Sequence, residues 1–361
     1  MQGLRWMQST KKLLTGPVYV DRVYGTVKIP GHIQKLVNNS LALCRLSKVY
    51  QAGTGVLLNH FGHDDDQRPV DRLEHSIGVA LLVERLGGDD HQQVGFDFDV
   101  RSMDEDSWHE INVEEFVNKT DLPTFFTQDE LSSLLHLSHH TLVEQPTPLM
   151  CADRIDYFLR DVIALRVDCH QIGLTDDTSR SIWVGRFIKS LTVAANDDGV
   201  TIMVTTDRDL ANEAAILFMK LNDDVYISAQ SVGVYHLTAK LLHRALDLEI
   251  LCEDDFDSRG DEEVWRMVEE GVARDVEMSQ LWEILHSAKT EYKLCLGNAS
   301  EEGRWKSLAS DVSLRMRYVD PSVLVDGRIQ PASALNGDLK QRLIAYKAKG
   351  MNKVNVMYRS G

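Results

Sequence analysis

Apolar residues in this chain recur mainly every three or four positions, which is the spacing of helices that bury one face. Long patterns of this kind occupy residues 32–49, 73–86, 149–167, 208–222 and 232–248. Further helices are predicted over residues 108–117, 127–138 and 261–286, and around 339–347. The chain is therefore predicted to be mainly α-helical.

Local signals mark the ends of two predicted helices. The pattern over 73–86 runs into Gly87-Gly88, and glycine readily takes the left-handed conformation that closes a helix. Residues 127–130 read Thr-Gln-Asp-Glu, the spacing of a capping box, in which the first and fourth side chains bond each other's backbone N–H groups. One helix is thus expected to stop near residue 86 and another to begin near residue 127.

β-Prone residues occur mainly in the second half of the chain. Residues 191–194 and 200–205 flank an Asn-Asp-Asp-Gly turn and predict a β-hairpin. A short strand or turn pair is predicted at 18–29, and the tail alternates polar and apolar residues at 314–319, with a last β-prone run at 354–358. These short elements add a minor β component to the helical prediction.

The change in pattern divides the chain into three predicted parts. Residues 1–175 form a helical domain, and residues 176–312 form a helical extension that contains the β-hairpin. Residues 313–361 form a small α/β tail. The predicted fold class is mainly α.

Net charge, hydropathy and cysteine spacing argue against several classes of protein. The net charge of −16 argues against general binding to nucleic acid or to an anionic membrane. No run of 18 apolar residues and no hydrophobic leader is present, so neither a transmembrane helix nor a secretory signal is expected. Five cysteines are scattered without a C-x-x-C pair, which is typical of reduced thiols in the cytoplasm or nucleus. A cytoplasmic protein is predicted, and self-association is left open.

The first segment with candidate chemistry reads Arg-Leu-Glu-His-Ser-Ile-Gly-Val at residues 72–79. It places His75 one helical turn after Arg72, near the start of an apolar helix. Taken alone, a histidine on an apolar helix is more often a buried core residue than a metal ligand. Arg72 has two interpretations, a phosphate-binding guanidinium or an ion pair with Glu74 or the acidic run at 64–66.

The second segment reads Ala-Asp-Arg-Ile-Asp-Tyr-Phe-Leu-Arg-Asp at residues 152–161. On a helix, Asp153, Tyr157 and Asp161 are four residues apart and share a face. Asp156 and Arg160 have the spacing of an ordinary helical ion pair, and that interpretation is preferred for them.

Together the two segments resemble the first and last metal-ligand motifs of the HD-domain phosphohydrolases, close to the deoxynucleotide triphosphohydrolase branch. The resemblance implies an HD-type helical core over about residues 15–175. It also implies a divalent metal, Mn, Fe, Mg or Zn, held by His75 and Asp153, and a nucleotide or related phosphate ester as substrate.

The resemblance assigns further roles. Arg72, Tyr157 and Asp161 would contact substrate, and Gln51, which lies in a similar Gln-x-Gly segment, would contact the sugar or base. His109 and Glu110 match a His-Glu pair that follows the catalytic residues, in which the histidine donates a proton or binds a second metal. In the acidic loop before them, Asp97 and Asp99 match a family aspartate, and a solvated loop explains them equally well.

The chain departs from the family at its centre. The His-Asp pair that gives the family its name should follow the helix at 73–86, but the sequence passes from Val94 directly to Gly95. The one literal His-Asp pair, His63-Asp64, precedes His75 in a Gly- and Asp-rich loop. With two of the usual ligands missing, metal is expected to bind weakly and hydrolysis to be impaired. Two alternatives remain: an inactive homologue that binds nucleotide or a protein partner, and a truncated gene prediction of an active enzyme.

Overall fold

The computed structural model describes residues 14, 16–51, 69–88, 114, 117–135, 141–296 and 304–360. Its α-helices are α1 (Gly31–Asn39), α2 (Leu41–Leu46), α3 (Arg72–Arg85), α4 (Gln128–Leu135), α5 (Ala152–Ala164), α6 (Asp177–Ser190), α7 (Arg208–Leu221), α8 (Ala229–Asp247), α9 (Glu253–Ser258), α10 (Asp261–Val272), α11 (Val276–His286), α12 (Ala332–Leu335) and α13 (Gly337–Lys349). The described part of the chain is mainly helical, as predicted, and none of its helices is both long and apolar enough to cross a membrane.

The strands are β1 (Val18–Asp21), β2 (Gly25–Lys28), β3 (Leu191–Ala195), β4 (Thr201–Thr205), β5 (Glu291–Leu296), β6 (Lys306–Ser313), β7 (Ser322–Val325), β8 (Arg328–Pro331) and β9 (Lys353–Arg359). Among the described strands, β1 and β2 pair only with each other, as an antiparallel hairpin. A second sheet has the order β3-β4-β7-β8, in which β4 and β7 are parallel. A third sheet has the order β5-β9-β6 and is antiparallel.

The β-hairpin predicted at 191–205 is present, and the strand or turn pair predicted at 18–29 is a second hairpin. In the tail, the predicted helix and the last predicted strand are present as α13 and β9, but the alternating run at 314–319 differs from its prediction. Residues 314–320 form no strand, whereas β7 and β8 follow them and close through Asp326 and Gly327, both at positive φ. Asp-Gly favours this kind of two-residue turn, so the signal was present in the sequence. β7 and β9 pair with strands before residue 313, and the division of the chain into three domains stays a prediction.

Two long predicted helices are interrupted. The helix expected at 32–49 breaks at Ser40, whose backbone is extended and whose side chain caps α2. Asp121 accepts hydrogen bonds from the Ser40 hydroxyl and from the backbone N–H groups of the next two residues, so a distant carboxylate stabilises the new start. The helix expected at 261–286 breaks in the same way, with Asp275 capping α11.

α3 is buried on every side because it lies between two hydrophobic cores. One side contributes Val79, Leu82 and Val83 to the core around α5, α6 and α7. The other side contributes Leu73 and Ile77, with two further residues, to the core built by α1 and α2. Contact with both cores keeps α3 fixed against α5.

Gly78 allows α3 and α5 to approach closely. A Cβ atom at this position would lie 2.0 Å from Nη2 of Arg160 and 2.0 Å from Oδ1 of Asp156, both on α5. Real Cβ contacts are never that short, so any larger residue at position 78 must displace these charged groups.

The Gly78→Ala variant tests this contact. We expect its free energy of unfolding to fall by about 3 kcal/mol, the upper range for overpacking, because the buried Asp156 and Arg160 side chains must leave their hydrogen-bonded positions. Gly185→Ala in α6 is the matched control, because a Cβ there meets nothing within 4 Å. Replacing that helical glycine should raise stability by about 1 kcal/mol. Urea denaturation measures both, and equal changes in the two variants would contradict the packing argument.

Candidate active site

His75 on α3 is held between two carboxylates of α5. Its Nε2 lies 3.0 Å from Oδ1 of Asp153, and its Nδ1 lies 2.7 Å from Oδ2 of Asp156. The imidazole and Asp156 are buried, whereas Asp153 keeps 18% of its side chain exposed. The ring therefore has a fixed inner partner and an outer partner that solvent reaches.

The inner carboxylate is itself held by three donors. Oδ2 of Asp156 accepts from Nε of Arg160 at 2.7 Å as well as from His75, and Oδ1 accepts from the Tyr24 hydroxyl at 2.8 Å. Burial by itself would raise the pKa of Asp156, but the adjacent Arg160 and His75 lower it. Asp156 is therefore ionised, and it fixes the rotation of the His75 ring. The expected Asp156–Arg160 ion pair is present, but it is buried and supports the site rather than stabilising a solvated helix.

Arg160 joins three carboxylates in the interior. Besides Asp156, its Nη2 donates to Asp21 at 2.8 Å and its Nη1 donates to Glu74 at 3.1 Å. Glu74 also accepts from Nε of Arg22 at 2.6 Å. The β1–β2 hairpin is thereby tied to α3 and α5 by charge-assisted hydrogen bonds.

The charge on His75 follows from these contacts. Burial favours the neutral imidazole, but hydrogen bonds to Asp153 and Asp156 and their negative charges outweigh it and raise the pKa of His75 to about 10. A metal ligand must be the neutral imidazole, so a cation binding at Nε2 would have to displace this proton.

One face of α5 next to His75, here called the open face, is only partly covered by the described residues. Asp153, Tyr157 and Asp161 are half-buried along it, as their four-residue spacing predicted, while most of the helix is buried. The rings of His75 and Tyr157 lie 6.4 Å apart, centre to centre. The Tyr226 hydroxyl donates to Asp161, and burial, the largest influence, raises the pKa of Asp161 to about 6 despite this bond.

Gln51 and Arg72 belong to the same short backbone pairing near the start of α3. Their backbones join a short pairing in which Gln51 donates to Val70 and Arg72 donates to Val49. The positive charge of Arg72 acts on Asp261 at the start of α10. The Oε1 atom of Gln51 is buried with no hydrogen-bond partner among the described residues. That Gln51 and Arg72 line one cleft with Tyr157 and Asp161 stays a prediction.

Several predicted site residues lie outside the described residues. They are His109, Glu110, Asp97 and Asp99. The His63-Asp64 pair, which was not assigned to the site, also lies outside them. The junction between Val94 and Gly95 lies outside them as well.

Two residues next to Asp153, Glu144 and Cys151, were not predicted from the sequence as site residues. Ligand atoms of Glu144, Cys151 and Asp153 all lie within 4.8 Å of one another. Burial and the charge of Asp153 raise the pKa of Glu144, whereas Arg154 donates to Glu144 at 3.2 Å and to Cys151 Sγ at 3.3 Å. Glu144 has no regular sequence spacing from the motif at residues 152–161. Its position next to Asp153 depends on the tertiary fold and could not be predicted from the sequence.

The donor set suits a divalent metal. The 3.0 Å separation of His75 Nε2 and Asp153 Oδ1 is that of two ligands at a right angle on an ion with bonds of about 2.1 Å. Mixed imidazole and carboxylate donors suit iron, manganese or zinc. Glu144 is near enough to Asp153 to add a carboxylate, although Arg154 already occupies part of that space.

Comparisons with known proteins agree with this chemistry. The chain is 25% identical over 347 residues to the uncharacterised protein YdhJ of Bacillus subtilis, covering 89% of this chain and 93% of that protein. It is 24% identical over 330 residues to the metal-dependent phosphohydrolase cns2 of Cordyceps militaris, covering 86% of each. No family model matches the chain.

A solved structure shares the fold. The crystal structure of a phosphohydrolase from Bacteroides thetaiotaomicron superposes with a TM-score of 0.64 at 15% identity, over 95% of this chain and all of that one. The chain is therefore related over most of its length to a protein named as a metal-dependent phosphohydrolase, and it has the fold of another phosphohydrolase.

Arg160→Gln tests the interior network. The variant leaves Asp21, Glu74 and Asp156 buried without their shared guanidinium, and we expect unfolding free energy to fall by about 3–5 kcal/mol. Arg259→Gln removes a half-exposed partner of Asp255 at the same four-residue spacing and should change stability little. Chemical denaturation of both variants gives the comparison. A similar small loss in each would contradict the role given to Arg160.

Proposed function

We propose that this protein is a metal-dependent phosphohydrolase of the HD type, and that it acts on a nucleotide or a related phosphate ester. The observation that carries the proposal is the pairing of His75 Nε2 with Asp153 Oδ1 at 3.0 Å, at the end of an open helix face. The similarity to a metal-dependent phosphohydrolase over most of both chains supports it.

Different residues of the candidate site have different proposed roles. His75 and Asp153 would hold the ion, and Asp156 keeps the His75 ring oriented through Nδ1. A bound divalent ion supplies Lewis acidity, which polarises a phosphoryl oxygen and acidifies water near neutral pH. Tyr157 and Asp161 line the face beyond the metal ligands, where a substrate hydroxyl or ring can contact them. His109 is retained as the proposed proton donor, with Glu110 beside it.

We further propose that the chain, as its sequence stands, hydrolyses its substrate slowly. Adjacent His and Asp side chains normally add two ligands, and none is found at the expected place after α3. Two strong ligands leave an ion largely hydrated and weakly bound. The absence of the adjacent His and Asp also supports the alternative that the protein is an inactive homologue that binds nucleotide or a protein partner.

Metal binding tests the proposed ligands directly. Titration calorimetry with Mn²⁺ should detect weak binding to the unmodified protein, and His75→Gln should abolish it because the imidazole ligand is lost. His170→Gln is the matched control, since His170 is exposed on a surface turn. Circular dichroism checks that both variants are folded. Equal Mn²⁺ affinity in the two variants would exclude His75 as a ligand.

Phosphate release from a panel of nucleotides and simple phosphate esters tests the activity. The Mn²⁺-loaded protein should turn over slowly, and inserting a helix that carries adjacent His and Asp between Val94 and Gly95 should raise turnover at least about 100-fold, because metal activation contributes several kcal/mol. Comparable turnover with and without the insertion would mean that the dyad is not needed. No release by either protein, together with nucleotide binding, would favour the inactive homologue.

A further inference from the structure

A segment from the C-terminal part of the chain reaches the open face of α5. Residues 314–320, here called the strap, connect β6 to β7 without joining a sheet. Val319 is fully buried in the core that contains Phe158 of α5, and the Asp320 N–H donates to Pro148 just before α5 at 3.0 Å. The strap is therefore anchored where α5 begins.

Side chains along the strap alternate between two surroundings. Met316 and Tyr318 pack against the core around α13, where Met316 contacts Gly350 and Tyr318 faces Tyr346. Val319 enters the opposite core. Alternation of this kind is a property of extended backbone, and it directs Arg317 to the side of Val319.

Arg317 lies next to the aromatic and acidic groups of the candidate site. Its Cζ is 5.6 Å from the centre of the Tyr226 ring, a cation–π distance. Tyr226 donates to Asp161, and its ring centre lies 6.5 Å from that of Tyr157. The positive charge of Arg317 acts to lower the pKa of both Tyr157 and Asp161, against the larger effect of burial. The guanidinium thus belongs to the electrostatic surroundings of the open face.

The open face of α5 carries carboxylates, so an anionic ligand can bind there only if a positive group offsets their charge. α5 presents Asp153 and Asp161 along it, and carboxylates repel phosphate. An ion at His75 and Asp153 would neutralise only one end. A guanidinium fork near the other end matches phosphate oxygens in geometry and in charge.

We propose that Arg317 is a substrate-binding residue whose guanidinium binds phosphate oxygens of the ester while the strap holds it over the open face of α5. This proposal rests on the proposed phosphohydrolase function for its ligand class. It assigns to the C-terminal part of the chain a contact in a site whose other proposed residues lie between Gln51 and Asp161.

Inorganic phosphate is the probe, because its binding can be measured whether or not the protein hydrolyses an ester. Calorimetry on the Mn²⁺-loaded full chain would compare the unmodified protein with Arg317→Ala, Arg317→Lys and Arg315→Ala. Arg315 is the matched control, since it lies two residues earlier on the same strap and is exposed. Thermal melting of each variant reports on folding.

We expect Arg317→Ala to weaken phosphate binding about 10- to 100-fold, the usual effect of losing a charge-assisted hydrogen bond. Arg317→Lys should recover part of the affinity, because the charge stays while the fork is lost. Arg315→Ala should remain within about twofold of the unmodified protein.

Two results would overturn the proposal. One is phosphate affinity that is equal in Arg317→Ala and Arg315→Ala, and the other is no phosphate binding by the unmodified protein. If Arg317→Ala fails to fold, the phosphate affinity of folded Arg317→Lys, compared with that of Arg315→Ala, decides whether Arg317 binds phosphate. A chain that binds phosphate through Arg317 but hydrolyses no ester would sustain this inference while rejecting the proposed activity.

Discussion

The buried contact of Arg160 with Asp21, Glu74 and Asp156 is the interaction on which the candidate site depends. It joins the β1–β2 hairpin, α3 and α5 through one guanidinium, and each carboxylate that it holds is out of contact with water. Charges buried in this way are costly unless every one is paired, so the three elements have little freedom to move relative to one another. Gly78 belongs to the same constraint, because only its missing side chain leaves room for the network.

His75 owes its position to this network. Asp156 shares one oxygen between Arg160 and His75, so the carboxylate that completes the ion cluster also orients the imidazole. The ring then presents Nε2 toward Asp153, where the interior meets the open face of α5. The side chains that stabilise the fold therefore also orient the candidate metal ligand. A substitution that disrupts the Arg160 ion cluster will also move His75.

Much of this could be predicted from the sequence. The period of the apolar residues gave α3, α5, α7 and α8 to within a few residues, and the pairing of His75 with Asp153 followed from two short motifs. Breaks at Ser40 and Asp275 were missed because the caps interrupt helices whose apolar period continues across them.

Contacts between distant segments were harder to foresee. Glu144 and Arg317 reach the neighbourhood of α5 only through the tertiary fold, and no local pattern marks either residue. Asp156 looked like half of a helical ion pair, since nothing in a sequence tells a buried pair from an exposed one. The roles expected for His109 and Glu110 depend on residues outside the described part of the chain.

Crystals of the protein grown or soaked with Mn²⁺ would show, through the anomalous scattering of the metal, whether His75 and Asp153 bind it. We expect an anomalous peak about 2.2 Å from both His75 Nε2 and Asp153 Oδ1, with the imidazole still hydrogen-bonded to Asp156 through Nδ1. An anomalous peak next to other residues, or no peak beside His75 at saturating Mn²⁺, would contradict the assignment of His75 and Asp153 as metal ligands.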